Sequence, residues 1–283
     1  MTTQDLDITN INRYQNAALN YYLKLTDSTD IHYGYWEPIP TSTTELTIGG
    51  LQTAQANYTD KLLSFIPAGI ETVIDVGCGI GGNTLHLLDR GFKVEGLAPD
   101  PIQKERFLER VQDRAIFHLT TFENFKSSHQ YDLVLLSESS QYMSAIDIAQ
   151  GAANILNPKG YLLIADMLRQ DGDYRAGIFS NCHLVGDLDL ALTKAGFKMM
   201  KSEDISTHIA PTIDLCVDAF QRYGLNTLNY IAELGQIAVP PIYKLLRWAY
   251  RRWLKKPIVE GLDARQIFDR HLCYQIQLWQ LSE

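Results

Sequence analysis

Apolar and polar residues follow two periods along this chain, and the place where the period changes marks each element. Short apolar runs over Thr72–Val76, Lys93–Leu97, Ala115–Leu119, Asp132–Ser137, Tyr161–Met167 and Lys198–Glu203 predict six strands. Between them, apolar residues recur at helical spacing over Asn83–Arg90, Ile102–Val111, Ile146–Leu156 and His183–Ala195. Pro158 and Gly160, in Asn157-Pro158-Lys159-Gly160, mark a turn before the fifth strand. Strands alternating with helices predict an α/β fold, a parallel sheet with helices on both faces.

The two ends of the chain break this alternation. Tyr14, Ala18, Tyr21, Tyr22 and Leu25 lie at helical spacing and predict a helix over 10–26. A second helix is expected over 44–66, stopping before Pro67, and an aromatic loop, Asp30–Pro38, separates the two. Downstream, residues 208–270 are helical in pattern and contain no good strand. Leu272–Leu281 then alternates Tyr274, Ile276 and Leu278 with glutamines and reads as a last strand.

Charge and cysteine placement narrow the class. Lysine and arginine number 25 against 33 acids, a formal charge of −8, which argues against a general nucleic-acid binder. Cys78, Cys182, Cys216 and Cys273 are far apart, and without a C-x-x-C pair neither a metal site nor a disulfide framework is indicated. A reducing cytoplasm is the expected setting, because MTTQDLDITN is unlike a signal peptide and no apolar run is long enough to span a bilayer.

The candidate chemistry begins where the first strand stops. Asp75 lies inside the apolar run, and Gly77, Gly79, Gly81 and Gly82 follow before a helix. Strand, glycine turn and helix start together make a nucleotide-binding loop, in which the backbone approaches the ligand closely. The run also satisfies G-x-G-x-x-G, with Glu95 and Asp100 about where a dinucleotide fold places its ribose acid, so a nicotinamide-dependent oxidoreductase is one reading. Asp75 favours another, since a carboxylate beside the turn suits a ligand that carries a cation.

Asp75-Val76-Gly77-Cys78-Gly79-Ile80-Gly81 resembles the first motif of the Rossmann-like S-adenosylmethionine-dependent methyltransferases, and the resemblance extends over Glu71 to Leu168. It implies a seven-stranded sheet whose last strand, Leu272–Leu281, runs antiparallel beside strand five. Asp75, Gly77, Cys78 and Gly79 would then hold the methionine part of S-adenosyl-L-methionine. The family often has a ribose acid where Ala98 stands and an adenine acid where Thr121 stands. The resemblance therefore moves those roles to Gln103, to main-chain groups of Leu97 and Ala98, and to the Thr121 hydroxyl, with Phe122 over the adenine. His32-Tyr33-Gly34-Tyr35-Trp36-Glu37-Pro38 resembles the H-x-G-[YFW]-[YW]-x-P loop of tocopherol-type, sterol and alkaloid methyltransferases, which closes over the cofactor. Tyr33 and Trp36 are its candidate contacts, and aromatic faces attract a sulfonium. The loop from Ser137 borders methyl donor and acceptor in that fold, making Glu138 and Tyr142 candidates for orienting or deprotonating an acceptor, with His183 as a further base.

These readings divide the chain into an N-terminal helical cap and aromatic lid (1–66), a cofactor-binding core (67–207), a helical cap insertion (208–270) and the final strand (271–283). Within the insertion, residues 240–256 place Ile242, Leu245, Leu246, Ala249 and Trp253 on one helix face and Lys244, Arg247, Arg251 and Lys255 on another. Such a helix either caps an apolar pocket or lies on an anionic membrane surface. The leading expectation is methyl transfer from S-adenosyl-L-methionine to an apolar small molecule: a lipid, quinone, isoprenoid or polyketide-like product. The alternatives are the oxidoreductase and a methyltransferase-fold scaffold without turnover.

Overall fold

A computed structural model describes residues 30–250, 252 and 255–282, and the helix expected over 10–26 lies outside them. The strands are β1 (Thr72–Val76), β2 (Lys93–Ala98), β3 (Ile116–Leu119), β4 (Tyr131–Ser137), β5 (Leu156–Arg169), β6 (Phe197–Asp204) and β7 (Leu272–Leu281). They form one sheet in the order β3-β2-β1-β4-β5-β7-β6. The first five are parallel, while β7 runs antiparallel between β5 and β6, with Tyr274 opposite Met167 and Ile276 opposite Ala165. This is the α/β sheet that the strand pattern and the glycine motif implied.

Alternate residues of each strand feed two cores, as the pleat requires. Val73, Leu133, Leu135, Leu163, Tyr274 and Ile276 face one side. There they meet α1 (Ile48–Leu63), α2 (Gly82–Asp89), α6 (Ser206–Ala219) and α10 (Ala264–His271). Ile74, Val134, Leu136, Leu162, Ile164 and Trp279 face the other side, under α4 (Ala145–Ile155) and α5 (Val185–Lys194). A smaller cluster of Cys78, Ala98, Phe107, Val111 and Phe117 seats α3 (Pro101–Val111) against the glycine turn. Between α6 and α10 come a π-helical turn (Phe220–Leu225), α7 (Asn226–Ala238), α8 (Pro240–Ala249) and α9 (Lys255–Leu262).

Three boundaries differ from the sequence expectation for local reasons. β5 begins at Leu156, which pairs with Tyr131, so the Asn157–Gly160 turn is a bulge within the strand ladder rather than a break before it. Lys159 takes φ 65° there, and Asn157 bonds Asp132 at 2.8 Å. α5 starts at Val185, because His183 and Leu184 are drawn to the end of β5: the Arg169 amide donates to the His183 carbonyl. α1 starts at Ile48, where the Thr47 hydroxyl caps the Gly50 amide.

Candidate active site

The glycine turn ends β1 in a conformation that side chains resist. Gly77, Gly79 and Gly81 have φ of 77°, 55° and 87°. A Cβ on Gly77 would lie 2.4 Å from that of Ser139, so only glycine lets the loop after β4 close on the turn. A Cβ on Gly79 would meet only Ile31 of the aromatic loop, at 3.6 Å. The turn, the loop after β4 and the aromatic loop thus converge at the carboxyl ends of β1 and β4, where ligands bind in open α/β sheets.

Asp75 is 2% exposed, and the Thr84 hydroxyl of α2 donates to it at 2.8 Å. Burial pushes its pKa up to about 6, a shift that the Thr84 bond works against. A carboxylate in that state gains from an incoming cation. The open backbone at Gly79 and this acid together fit a ligand with a cationic end and a close approach to main chain.

Glu138 is the second perturbed acid. It sits at φ 54°, an uncommon conformation outside glycine, with its amide bonded to the Ala165 carbonyl at 2.8 Å. Its Oε1 accepts from the Tyr33 amide at 2.9 Å and the Tyr274 hydroxyl at 2.8 Å. Tyr274 also meets the Tyr58 hydroxyl at 2.8 Å, and Tyr58 meets the Ser137 hydroxyl at 3.0 Å. Burial raises the Glu138 pKa to about 8, and the nearby charge of Asp166 adds to the shift. Asp166 itself is 1% exposed and accepts from the Ser140 amide at 2.9 Å and hydroxyl at 2.6 Å; burial raises its pKa too.

The aromatic loop is clamped from three sides. Gln55 of α1 donates to the His32 carbonyl at 2.9 Å, and the Tyr35 amide to the Ala54 carbonyl at 2.7 Å. From α6, Thr212 accepts from the Gly34 amide at 3.1 Å and from the Trp36 indole at 2.9 Å. From the loop after β4, Glu138 takes the Tyr33 amide.

The expected site residues divide on this geometry. Asp75, Gly77, Gly79, Tyr33, Ser137 and Glu138 come together. Cys78 is buried beside Gly96 and Phe107, under the turn. Trp36 is the anchor of its loop: its ring is 5% exposed among Leu51 and Ala54 of α1. Phe122 is 3% exposed and packs on Gly151 of α4, so its ring is core. The Leu97 carbonyl accepts from the Gly77 and Cys78 amides at 2.7 and 3.2 Å. Ala98 is buried against α3. Gln103 is half-buried in the first turn of α3, whose cap is Asp100. The Thr121 hydroxyl accepts from Asn124 at 2.9 Å. Tyr142 is 48% exposed, and a ring nitrogen of His183 meets the Ser140 carbonyl at 2.9 Å, ahead of α5 rather than on it.

Tyr58, Tyr274 and Asp166 were not among the expected site residues. Asp166 carries the same signal as Asp75, an acid inside an apolar run. Tyr58 and Tyr274 look like ordinary core positions, and only the fold brings the Tyr274 hydroxyl to Glu138 and the Tyr58 hydroxyl to Tyr274 and Ser137.

Comparison with known proteins agrees with this architecture. The tocopherol O-methyltransferase of Arabidopsis thaliana is 28% identical over 127 residues, 40% of this chain and 36% of that protein. The 2-methyl-6-phytyl-1,4-hydroquinone methyltransferase of Synechocystis is 31% identical over 114 residues, 38% of this chain and 36% of that protein. The matches thus span little more than a third of these two relatives. The structure of geranyl diphosphate C-methyltransferase from Streptomyces coelicolor superposes with a TM-score of 0.63 at 14% identity, covering 88% of this chain and 90% of that one, which establishes a shared fold. A methyltransferase-domain family model matches residues 51–229, more than half of the chain and the whole of the glycine turn, and the chain belongs to that family.

Proposed function

We propose that this protein transfers a methyl group from S-adenosyl-L-methionine to an apolar small molecule. The observation that carries the reading is the contact of Ser139 with Gly77, which sets the perturbed carboxyl of Glu138 beside a glycine turn that already has a buried acid, Asp75. Donor-side and acceptor-side chemistry then share one end of the sheet. When bound, S-adenosyl-L-methionine supplies a methyl already activated on a sulfonium, so positioning provides much of the acceleration.

The residues of the chain take these roles. Asp75 holds the ammonium of the methionine part, and the backbone at Gly77 and Gly79 lets that part lie close. Gln103 and Thr121 are the remaining side chains for ribose and adenine. Tyr33 lines the closed face through its loop and helps exclude water. Glu138 accepts a hydrogen bond or a proton from the acceptor at its carboxylate, and Tyr274 steadies the ionised form. Tyr142, exposed on the loop after β4, and His183, whose ring meets that loop at the Ser140 carbonyl, are secondary candidates. Relatives named for tocopherol and phytyl-hydroquinone methylation, and a neighbour named for geranyl diphosphate, support an isoprenoid or quinone-like acceptor.

Titration calorimetry tests the cofactor half of this reading. S-adenosyl-L-methionine and its demethylated product should both bind. Binding of a nicotinamide dinucleotide in their place would overturn it.

A further inference from the structure

The helices between α6 and α10 present a surface that the reaction does not explain. α6 and α10 are sealed to the sheet by Ile209, Ala210, Ile213 and Phe268. α7 buries no side chain at all. Of the 22 large hydrophobics exposed among the described residues, ten fall between Tyr223 and Val259. Tyr230 is 61% exposed, Ile231 58%, Leu234 47%, Ile237 80%, Trp248 55% and Tyr250 40%. A patch of this kind on a folded surface marks a contact with something else.

Charge selects the partner. From Pro240 to Pro257 the chain has six basic residues and no acidic one, within a protein of net charge −8. Lys244, Arg247, Arg252, Lys255 and Lys256 are all exposed. A second copy would bring the same positive charge to the contact and repel it. An anionic lipid surface answers both properties, with headgroups for the basic residues and an acyl boundary for the apolar ones. No helix among the described residues is long and apolar enough to cross a membrane, so the contact is peripheral.

We propose that α7 and α8 form a membrane-docking surface for anionic lipid, α7 supplying the inserted apolar residues and α8 the charge. The two helices pack as neighbours and continue the chain from α6. Through Thr212, α6 also clamps the aromatic loop, so the docked face adjoins the elements that close the site. An apolar acceptor dissolved in lipid would then be at hand. The docking claim stands apart from methyl transfer, because a lipid-bound protein without turnover would leave it intact.

The test is co-sedimentation of the full chain with phosphatidylcholine vesicles and with vesicles that also contain phosphatidylglycerol. The parent should partition onto the anionic vesicles at low salt and be released as salt rises. Changing Lys244→Gln, Arg247→Gln and Arg252→Gln together should lower partitioning by roughly five-fold per charge removed. Changing Ile231→Ser, Leu234→Ser and Ile237→Ser together should lower it by at least about ten-fold on the same vesicles. All positions are exposed, and unchanged calorimetry with S-adenosyl-L-methionine would show that each variant is folded. A parent that ignores anionic vesicles at low salt, or binds neutral ones equally, would overturn the proposal. So would a serine variant that converts a dimer to a monomer without altering vesicle binding, since the apolar face would then be a contact between copies.

Discussion

Burial raises the pKa of both Asp75 and Glu138, and the direction of each shift makes a prediction at the scale of single residues. For Asp75, a bound ammonium favours the ionised form. Affinity for S-adenosyl-L-methionine should therefore rise with pH up to about 6 and level off above it. Asp75→Asn keeps an acceptor for Thr84 but removes the charge; calorimetry should show about 10- to 100-fold weaker binding and no dependence on this titration. For Glu138 the stability sign follows from proton counts. An unfolded glutamate loses its proton near pH 4.3, whereas the folded one keeps it to about 8, so stability falls as pH rises through that window. Melting curves of Glu138→Gln should be flatter over the same range. If Glu138 takes a proton from the acceptor, the rate should climb with a midpoint near pH 8, and the glutamine variant should lose this limb with about 10²- to 10⁴-fold of the rate. Tyr274→Phe removes a donor to the ionised oxygen and should move the limb to higher pH, which a packing role alone would not do. Asp75 was readable from the sequence because an acid inside an apolar run is costly and therefore conspicuous. Trp36 and Phe122 were assigned to the cofactor because an aromatic side chain serves a core and a ligand equally well in sequence. Their partners, Thr212 and Gly151, are distant along the chain, and only the fold supplied them.

At the scale of elements, the aromatic loop behaves as a clamped strap. Thr212 satisfies both the Gly34 amide and the Trp36 indole, so Thr212→Val orphans two donors. It should cost about 1–3 kcal/mol in denaturant unfolding and speed hydrogen exchange at the Gly34 amide and the Trp36 indole. The same variant should raise KM for S-adenosyl-L-methionine more than it lowers kcat, because the loop closes the site without taking part in the transfer. Strand and helix types followed directly from the two periods. Their ends did not, wherever a distant partner decided them. Tyr131 draws Leu156 into β5 ahead of its own turn, and the end of β5 holds His183 out of α5. Both contacts are non-local, and no window of neighbouring residues contains them.

For the whole molecule, the place of the last strand was legible through the family resemblance, and the full strand order was not. The resemblance sets Leu272–Leu281 antiparallel beside β5, where the structure has it, and only the fold shows β6 on its other side. The disposition of the helices from 226 to 262 was not legible. Amphipathic patterning shows that a helix has an apolar face and leaves open whether protein, acceptor or lipid covers it. The central claim is that the chain moves a methyl group to an apolar acceptor. Its most direct test uses S-adenosyl-L-methionine with an isotope-labelled methyl, incubated with the protein and a panel containing a prenylated hydroquinone, an isoprenyl diphosphate, a phenolic polyketide and small charged amines. The account predicts labelled apolar product with matching release of demethylated cofactor, both strongly reduced in Asp75→Asn. Label appearing only in the small charged amines, or cofactor that binds and is never turned over with any acceptor, would contradict it.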